Sequence, residues 1–237
     1  MSGFAVRFVI SLPARLPSQE NHLSLMPTYF ITIAGNIGVG KSTLVSLLAQ
    51  QLGWEPVYEA VAENPYLADF YGDMNRWGFN SQVFFLVRRL QQHHELLQQT
   101  GSMLQDRSVY EDAEIFARNL HHQGHLSERD WLTYFELYQT LTRMLKPPDL
   151  VIYLRASTAT LRRRIAGRGR EYERGIADSY LQDLNRLYDE WAASFTLSPV
   201  LTVDTDNLDY VQYDEHLDQI WSRIADRLHG RDYLALK

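Results

Sequence analysis

The sequence predicts an α/β protein in which helices cover both faces of a five-stranded parallel sheet. Three observations support this fold class. Predicted strands and helices alternate from residue 28 to residue 228. The run LVIYL at Leu150–Leu154 is apolar throughout, which is typical of a strand buried on both faces. A glycine-rich loop at residues 35–40 joins the first strand to an amphipathic helix, as at the start of a βαβ unit.

Hydrophobic periodicity predicts the elements of the first half of the chain. Leucines at positions 44, 47, 48 and 52 recur with the period of a helix, whereas short β-rich apolar runs indicate strands. In chain order we predict a strand over Thr28–Ala34, a helix over Lys41–Leu52, a weak strand over Pro56–Glu59, helices over Asn64–Tyr71 and Ser81–Gln99, and a strand over Ser102–Asp106.

The second half continues the alternation. Ser127 followed by Asp130 resembles a helix N-terminal cap, and the Pro147–Pro148 pair stops the same helix. We predict helices over Glu111–His122 and Ser127–Lys146, a strand over Leu150–Leu154, a helix over Ile176–Ser194, a strand over Val200–Asp204 and a closing helix over Gln212–Leu228.

The composition argues against several classes of partner. The chain has 237 residues and a formal net charge of −6, and a nucleic-acid polymer would favour a basic surface instead. No apolar run reaches the roughly eighteen residues of a transmembrane helix, so we expect no membrane partner. Cysteine is absent from the sequence, which excludes a disulfide framework and fits a cytoplasmic protein.

The chain divides into a short N-terminal segment and one domain. Residues 26–237 contain no repeat, low-complexity tract or linker, so we interpret them as a single domain. Residues 1–25 carry a short apolar stretch, Phe4–Leu12, which an arginine interrupts and two prolines follow. A signal peptide would have a cleaner apolar segment and a small-residue cleavage site. We therefore expect a disordered extension or a misassigned start codon, with a targeting peptide as the alternative.

The segment GNIGVGKS at residues 35–42 matches the phosphate-binding pattern G-x-x-x-x-G-K-[ST] at every fixed position. Its glycines let backbone N–H groups face phosphates, its lysine neutralises phosphate charge, and its serine hydroxyl binds Mg²⁺. Because a strand precedes it and a helix follows it, the motif predicts a P-loop NTP-binding fold. No Asn-Lys-x-Asp guanine motif is present, which argues against a GTPase. We expect ATP to contact Gly35, Asn36, Ile37, Gly38, Val39, Gly40, Lys41, Ser42 and Thr43.

Polar residues follow the predicted strands at the sheet edge where α/β proteins bind ligands. Glu59 follows the second strand, and Asp106 and Arg107 follow the third. The segment Arg162–Arg174, which holds six arginines, follows the fourth strand. The fifth strand leads into Asp204, Thr205 and Asp206.

These residues supply what phosphoryl transfer requires: a metal ion, cations around the transferred group, and a residue that orients or deprotonates the acceptor. Ser42 and Asp106 are the candidate ligands for Mg²⁺ bound with ATP. Glu59 is the candidate base for an acceptor hydroxyl, and Arg107 can pair with it and keep it ionised. We expect a lid containing Arg164, Arg168 and Arg170 to clamp the phosphates.

From about residue 28 to residue 228 the chain resembles the deoxynucleoside kinases, the family of deoxycytidine, deoxyguanosine and bacterial deoxyadenosine kinases. A P-loop alone is widespread, but a P-loop followed by DRSVY and an Arg-x-x-x-Arg-x-Arg lid is specific. The matching stretches are GNIGVGKST at Gly35–Thr43, Glu59 with ENPYL at Glu63–Leu67, Arg76 and Trp77 with Phe79 and Gln82, DRSVY at Asp106–Tyr110 with Asp112 and Phe116, and RIAGRGREYERGI at Arg164–Ile176.

This resemblance implies transfer of the γ-phosphoryl group of ATP to the 5′-hydroxyl of a deoxyribonucleoside. Glu59 resembles the carboxylate that contacts the 5′-hydroxyl as general base. Arg107 resembles the arginine that holds this carboxylate and the 5′ end of the nucleoside. Asp106 resembles the acid linked to Mg²⁺, which is sometimes itself named the proton acceptor, so both carboxylates remain candidates. The catalytic set is therefore Glu59, Asp106, Arg107 and Lys41.

The resemblance also implies how the nucleoside is bound. Tyr71 and Glu173 resemble the pair that binds the sugar 3′-hydroxyl. The residues that resemble the base-binding positions are Gln82, which reads the base edge, Phe116, which stacks on the base, and the charged pair Arg89 and Asp112. Asp204, Thr205 and Asp206 resemble the loop near the adenine of ATP.

The charged pair bears on the choice of base. Members that favour thymidine tend to lack the aspartate of this pair, so we favour deoxyadenosine, deoxyguanosine or deoxycytidine. Phe85 stands where smaller residues often occur in members that accept cytosine, which favours a different orientation of the base. Because members are usually homodimers through their helices, the resemblance also implies a homodimer.

Two other hypotheses remain open. A thymidylate-type nucleoside-monophosphate kinase shares the P-loop, the Asp/Glu-Arg motif and the arginine lid. It needs basic residues near Glu59 to bind the acceptor phosphate, and this chain has Glu59 and Glu63 there. A non-catalytic P-loop module would bind nucleotide without turnover on any nucleoside.

Overall fold

Five parallel strands form the sheet of this computed structural model, which describes residues 28–59, 63–96 and 98–228. Their order in the sheet is β2-β3-β1-β4-β5, and each neighbouring pair is parallel. The predicted α/β fold with a five-stranded parallel sheet is confirmed. The strands are β1 (Phe30–Gly35), β2 (Glu55–Val57), β3 (Met103–Asp106), β4 (Leu150–Arg155) and β5 (Val200–Asp204).

Helices connect the strands in the order expected for parallel pairing. A π-helix (Asp112–Ala117) separates α4 from α5, and a 3-10 turn (Glu171–Glu173) follows α7. The helices of the described part are α1 (Lys41–Leu52), α2 (Leu67–Gly72), α3 (Met74–Leu96), α4 (Val109–Glu111), α5 (Arg118–His122), α6 (Glu128–Thr142), α7 (Thr158–Arg168), α8 (Asp178–Ser194) and α9 (Asp214–Leu228).

The central strands lie in the hydrophobic core. Every residue of β1 is buried, as are residues 150–154 of β4. Fully burying an aliphatic side chain stabilises a fold by roughly 1.5–3 kcal/mol, so these two strands anchor the sheet. The continuous apolar run in β4 therefore has the structural cause that the sequence indicated, burial on both faces.

The strand order sets the position of the glycine-rich loop. From β1 the chain moves to one side of the sheet for β2 and β3, and later to the other side for β4 and β5. Ile33 of β1 pairs with Asp106, and Gly35 pairs with Leu154. The carboxyl ends of three neighbouring strands thus surround the loop, at the crevice where such sheets bind ligands.

Three predicted helices differ most from the observed ones. α3 begins at Met74 rather than Ser81, because Trp77 and Phe79 pack against the core although polar residues interrupt their pattern. α6 ends at Thr142, before the prolines, in a turn in which Leu145 N–H donates to Thr142 O. The predicted helix Glu111–His122 is interrupted by the π-helix, which the apolar pattern did not indicate.

The N-terminal segment that we predicted to be an extension, residues 1–25, lies outside the described residues. Within residues 28–59, 63–96 and 98–228, none of the helices has the length and apolar character needed to cross a bilayer.

Candidate active site

The phosphate-binding motif forms the turn between β1 and α1. Gly35 and Gly40 have φ angles of 143° and 108°. A Cβ atom added to Gly35 would lie 2.5 Å from the carbonyl oxygen of Leu154, and one added to Gly40 would lie 2.3 Å from the hydroxyl of Tyr210. Only glycine fits these positions, so the fixed glycines of the motif have a steric cause.

Lys41 is buried at the first turn of α1. Its Nζ donates to the carbonyl oxygens of Gly35 at 2.9 Å and Asn36 at 3.1 Å. Burial, and then the charge of Arg107, lowers the pKa of Lys41 to about 8, although nearby carboxylates act in the opposite direction. A cation with this pKa is mostly charged at pH 7, and its two carbonyl partners hold it inside the loop.

Ser42 and Asp106 meet at the boundary between the loop and β3. The Ser42 hydroxyl donates to Oδ2 of Asp106, whose Oδ1 is buried and has no hydrogen-bond partner. A hydroxyl beside an unpartnered carboxylate oxygen is a donor set that suits Mg²⁺, which retains several waters and takes few protein ligands. In the described part of the chain no group of three or more histidine, cysteine or acidic residues is arranged to hold a metal ion, so an all-protein cage is not built there.

A first cavity of about 260 Å³ opens beside these residues. The phosphate loop, β3, α3, the π-helix and the turn after α7 all contribute to its wall. Of the side chains predicted to bind substrate, those that line it are Glu59, Tyr71, Gln82, Arg107, Asp112, Phe116 and Glu173. The remaining one, Arg89, is 2% exposed and lies behind the wall.

Glu59 bridges two buried arginines at the floor of the first cavity. Arg89 Nη2 donates to it at 2.6 Å, and Arg107 Nε lies 3.2 Å from both carboxylate oxygens. Burial would raise the pKa of Glu59, but Arg107 and Arg89 outweigh it and hold the pKa at about 2. The carboxylate is therefore fully ionised at neutral pH, as the predicted pairing with Arg107 requires.

Arg89 also binds Asp112, at 3.2 Å from Nε, and donates to the carbonyl oxygen of Asp106 at 3.3 Å. One guanidinium group thus serves two carboxylates. Burial raises the pKa of Asp112 to about 7, because Arg89 is shared with Glu59 and offsets only part of the loss of water. Asp112 changes charge near neutral pH, whereas Glu59 does not.

The π-helix shapes the wall of the first cavity. Asp112 and Phe116 both belong to it and both line the cavity. The guanidinium carbon of Arg107 lies 4.4 Å from the centroid of the Phe116 ring, a cation–π contact. Arg107 itself has a φ of 66°, the only non-glycine residue of the described part in the left-handed region. Such strain is characteristic of functional sites held by their surroundings.

The far end of the first cavity is formed by the turn after α7. Tyr71 stacks on Tyr172, with centroids 5.9 Å apart. Glu173 is buried and accepts from Arg168 Nη2 at 2.5–2.6 Å, while Arg170 Nη1 lies 3.5 Å away. Gln82 is also buried, and its Oε1 has no partner, so its amide can read a ligand.

A second cavity of about 760 Å³ lies on the other side of the phosphate loop. Arg164 lines it and donates to the carbonyl oxygens of Val39 at 2.7 Å and Thr205 at 2.7 Å. It thereby joins the phosphate loop to the segment after β5. The predicted ATP-binding residues on its wall are Gly38, Gly40, Lys41, Ser42, Thr43, Arg164, Arg168, Arg170 and Asp206.

The two cavities share part of their walls. Gly38, Lys41, Ser42, Arg168 and Arg170 line both. The loop and the two arginines therefore stand between the two cavities. This arrangement suits the transfer of a charged group between two bound molecules.

Some predicted ATP-binding residues lie beside the cavities rather than on their walls. Ile37 lines the first cavity only. Asp204 accepts from the N–H of Asp206 at 3.1 Å, and Asn36 Oδ1 accepts from the N–H of Ile37 at 2.7 Å. Those that line neither cavity are Gly35, Asn36, Val39, Asp204 and Thr205, and their assigned contacts with ATP stay predictions.

The sequence did not lead us to several residues of the site. Glu111 is fully buried beside the phosphate loop, and its spacing from Ser108 is that of a capping box, a signal visible in the sequence. Tyr188 contacts Arg107 from α8, and no local pattern marks it. Tyr172 and Tyr180 line the first cavity, and Tyr172 could have been found as the neighbour of Glu173.

Comparison with known proteins identifies the family. The family model described as deoxynucleoside kinase matches residues 31–229. A deoxyadenosine/deoxycytidine kinase from Bacillus subtilis is 37% identical over 213 residues, which cover 89% of this chain and 97% of the relative. A deoxyguanosine kinase from Lactobacillus acidophilus is 36% identical over 207 residues, which cover 84% of this chain and 90% of the relative.

Solved structures give the same result. The deoxyadenosine kinase from M. mycoides with bound dATP has a TM-score of 0.74 and 31% identity, over 83% of this chain and 99% of that chain. The same enzyme with the products dCMP and a flexible dCDP has a TM-score of 0.75 and 31% identity, over 83% and 98%. With its P-loop, its arginine lid and two adjoining cavities, the chain therefore belongs to the deoxynucleoside kinase family and is a nucleotide-binding phosphotransferase.

Proposed function

We propose that this kinase transfers the γ-phosphoryl group of ATP to the 5′-hydroxyl of deoxyadenosine, deoxyguanosine or deoxycytidine in nucleotide salvage. The observation that carries the proposal is the shared wall of the two cavities. A nucleoside in the first cavity and a nucleoside triphosphate in the second would meet at Lys41 and Ser42. There the 5′-hydroxyl would lie beside Glu59, close to the phosphate to be transferred.

Lys41, Arg168 and Arg170 supply the cations around that phosphate. Phosphoryl transfer passes through a state with charge spread over the equatorial oxygens, so positioning and fixed cations together account for most of the catalysis. Mg²⁺, held through Ser42 and Asp106, would neutralise further phosphate charge when bound with ATP. The unpartnered Oδ1 of Asp106 supports this assignment.

Glu59 is the proposed base, and its low pKa defines how it acts. A carboxylate with a pKa of about 2 is a weak base toward a free hydroxyl. In a loose transition state the hydroxyl becomes acidic only as its bond to phosphorus forms, so a weak and permanently ionised base is sufficient. Glu59 therefore orients the hydroxyl first and accepts its proton late.

Gln82, Asp112 and Phe116 are the proposed contacts of the base. The unpaired Oε1 of Gln82 and the nearby carboxylate of Asp112 can accept from an exocyclic amino group. Adenine and cytosine carry an exocyclic amino group of this kind. Relatives named for deoxyadenosine, deoxycytidine and deoxyguanosine support these three nucleosides as acceptors. Tyr71 and Glu173 are the proposed partners of the sugar 3′-hydroxyl.

We further infer that residues 26–237 form a single kinase domain and that the protein is cytoplasmic. We also infer that two copies of the chain form a homodimer. Val87 of α3 and Leu132 of α6 are 45% and 56% exposed, and α3 packs beside α6. Apolar side chains on two adjacent helices suit burial against a second copy. Light scattering coupled to size exclusion should give twice the mass of the chain, and a single-chain mass would contradict the dimer.

A coupled assay of ADP release tests the function. ATP and Mg²⁺ are supplied with deoxyadenosine, deoxyguanosine, deoxycytidine, thymidine and the corresponding monophosphates, with a no-acceptor reaction as control. We expect turnover on nucleosides, lowest on thymidine. Turnover confined to monophosphates would instead indicate a thymidylate-type kinase. Nucleotide binding without turnover on any acceptor would indicate a non-catalytic P-loop module.

A further inference from the structure

A buried carboxylate lies between the phosphate loop and the arginine that holds Glu59. Glu111 is 0% exposed, and its nearest cation, Arg107 Nη1, is 3.5 Å away. One ion pair at this distance leaves most of the cost of burying a carboxylate, unless several donors compensate. Glu111 has such donors, and they come from parts of the chain far apart in sequence.

One set of contacts joins Glu111 to the phosphate loop. Oε2 accepts from the backbone N–H of Gly35 at 3.2 Å, and Oε1 accepts from the backbone N–H of Ser108 at 2.8 Å. Gly35 ends β1 and begins the loop, and Ser108 lies two residues after Asp106, the last residue of β3. A single carboxylate thus fixes the start of the loop relative to the end of β3.

A second set joins Glu111 to the acceptor side through Tyr188. The Tyr188 hydroxyl donates to Glu111 Oε2 at 2.7 Å and accepts from Arg107 Nη1 at 2.6 Å. Burial and the charge of Glu111 raise the pKa of Tyr188 despite Arg107. The phenol therefore keeps the one proton that is needed for the hydrogen-bond relay from Arg107 through Tyr188 to Glu111. Stacking on Tyr153, with ring centroids 5.6 Å apart, fixes the ring.

The relay ends at the strained residue of the site. Arg107 has a φ of 66°, and its guanidinium group is held by Tyr188 at one nitrogen and by Glu59 at another. Without the Tyr188 hydroxyl, the Arg107 side chain keeps Glu59, the Phe116 ring and the 3.5 Å ion pair with Glu111, but it loses the 2.6 Å hydrogen bond from its Nη1.

We propose that Glu111 and Tyr188 are positioning residues that hold the phosphate loop and the Arg107–Glu59 pair at one fixed separation for phosphoryl transfer. The inference rests on the proposed function. It assigns the pair no contact with substrate. Its consequence is that a change in the relay lowers kcat more than it changes KM, because reacting groups misplaced by about 1 Å can lose 10²-fold in rate.

Tyr188→Phe is the direct test, since it removes one hydroxyl and keeps the ring. Tyr153→Phe is the matched control: its ring stacks on Tyr188, but its hydroxyl donates to Asp189, away from the cavities. We expect Tyr188→Phe to lower kcat about tenfold or more, with KM for deoxyadenosine and ATP changed less than about threefold. The control should keep kcat within about twofold of wild type.

Rates are expressed per nucleotide-binding site, titrated with ADP by calorimetry, so that a loss of folded protein is not counted as a loss of catalysis. A purely structural role would lower the melting temperature and the number of sites but leave kcat per site unchanged, which would overturn the proposal. A rise in KM with kcat unchanged would overturn it as well.

A double-mutant cycle gives a second test that tolerates some loss of stability. Glu111→Gln retains the size of the side chain but replaces an accepting oxygen with a donor that faces other donors. If both residues act through one relay, the double variant with Tyr188→Phe should lose little more activity than the worse single variant. Independent, multiplicative losses would overturn the relay. Absence of turnover in the wild type would refute the proposed function itself, whereas wild-type turnover with an unaffected Tyr188→Phe refutes only this inference.

Discussion

Replacing Glu59 by glutamine removes the charge of this side chain while keeping its shape. The carboxylate neutralises part of two buried guanidinium groups, those of Arg89 and Arg107. After the replacement, Arg89 keeps its ion pair with Asp112. Arg107 keeps its hydrogen bond to Tyr188 and its longer ion pair with Glu111. We therefore expect two separate losses, one of stability and one of catalysis.

The pKa of Glu59 gives the magnitude of the first loss. A pKa lowered from its ordinary 4.5 to about 2 corresponds to about 3 kcal/mol of stabilisation at neutral pH. Because the folded-state pKa is the lower one, this stabilisation is present above pH 4.5 and is lost as the pH falls toward 2. At about 2–4 °C per kcal/mol for a chain of this size, the melting temperature should fall by about 6–12 °C at pH 7.

The second loss is about 10²-fold in kcat, the scale of a general base. Thermal melts by circular dichroism and ADP release with deoxyadenosine measure the two effects on one preparation. Glu63→Gln is the control, because Glu63 is 58% exposed and its ion pair with Arg88 contributes at most about 1 kcal/mol. A Glu59→Gln variant with near wild-type kcat would refute the base assignment, and an unchanged melting temperature would refute the electrostatic account.

Three further predictions concern charged residues of the two cavities. Lys41→Ala should abolish turnover with an unchanged circular dichroism spectrum. In the wild type, calorimetry should show ATP affinity falling from pH 7 to pH 9, because a pKa of about 8 leaves Lys41 neutral above it. A flat profile would contradict this. Asp106→Asn should raise the Mg²⁺ concentration for half-maximal turnover by about tenfold or more, read from a metal titration, and an unchanged titration would remove Asp106 from the metal site. For Asp112, with a pKa of about 7, KM for deoxyadenosine should fall as the pH rises from 6 to 8, since the ionised form accepts at both oxygens whereas the protonated form donates from one. Asp112→Asn should abolish that trend, and persistence of the trend in the variant would assign it to another group.

The bounds of helices and strands were predicted correctly where a single local sequence pattern determines them. α1 and β5 have the predicted bounds, Lys41–Leu52 and Val200–Asp204, because a glycine loop and an apolar run bound them clearly. The π-helix was not predicted, since its i→i+5 hydrogen bonds are not marked by the apolar period, and it packs against α3 and α8, which are distant in sequence. Such bulges are rare inside α-helices and frequently lie at functional sites.

The site was predictable where function restricts residue type at fixed spacing. The phosphate loop and the Asp106–Arg107 pair belong to that class. The roles of Glu111 and Tyr188 were not predictable, because 77 positions separate the two hydrogen-bonded side chains. Nor did the sequence indicate that one arginine, Arg89, is shared between two carboxylates, although that sharing sets the different pKa values of Glu59 and Asp112.

The arginine lid links the two cavities through an exchange of partners. Arg168 and Arg170 line both cavities, and both bind Glu173 within salt-bridge distance. Under the proposed roles, phosphates in the second cavity compete with Glu173 for these guanidinium groups, since bidentate arginine suits phosphate as well as carboxylate. Each arginine that turns to phosphate leaves Glu173 with free lone pairs toward the first cavity, where the sugar 3′-hydroxyl would donate to it. Donor binding would then prepare the acceptor site with side-chain movements alone, because the two arginines line both cavities and Glu173 lines the first.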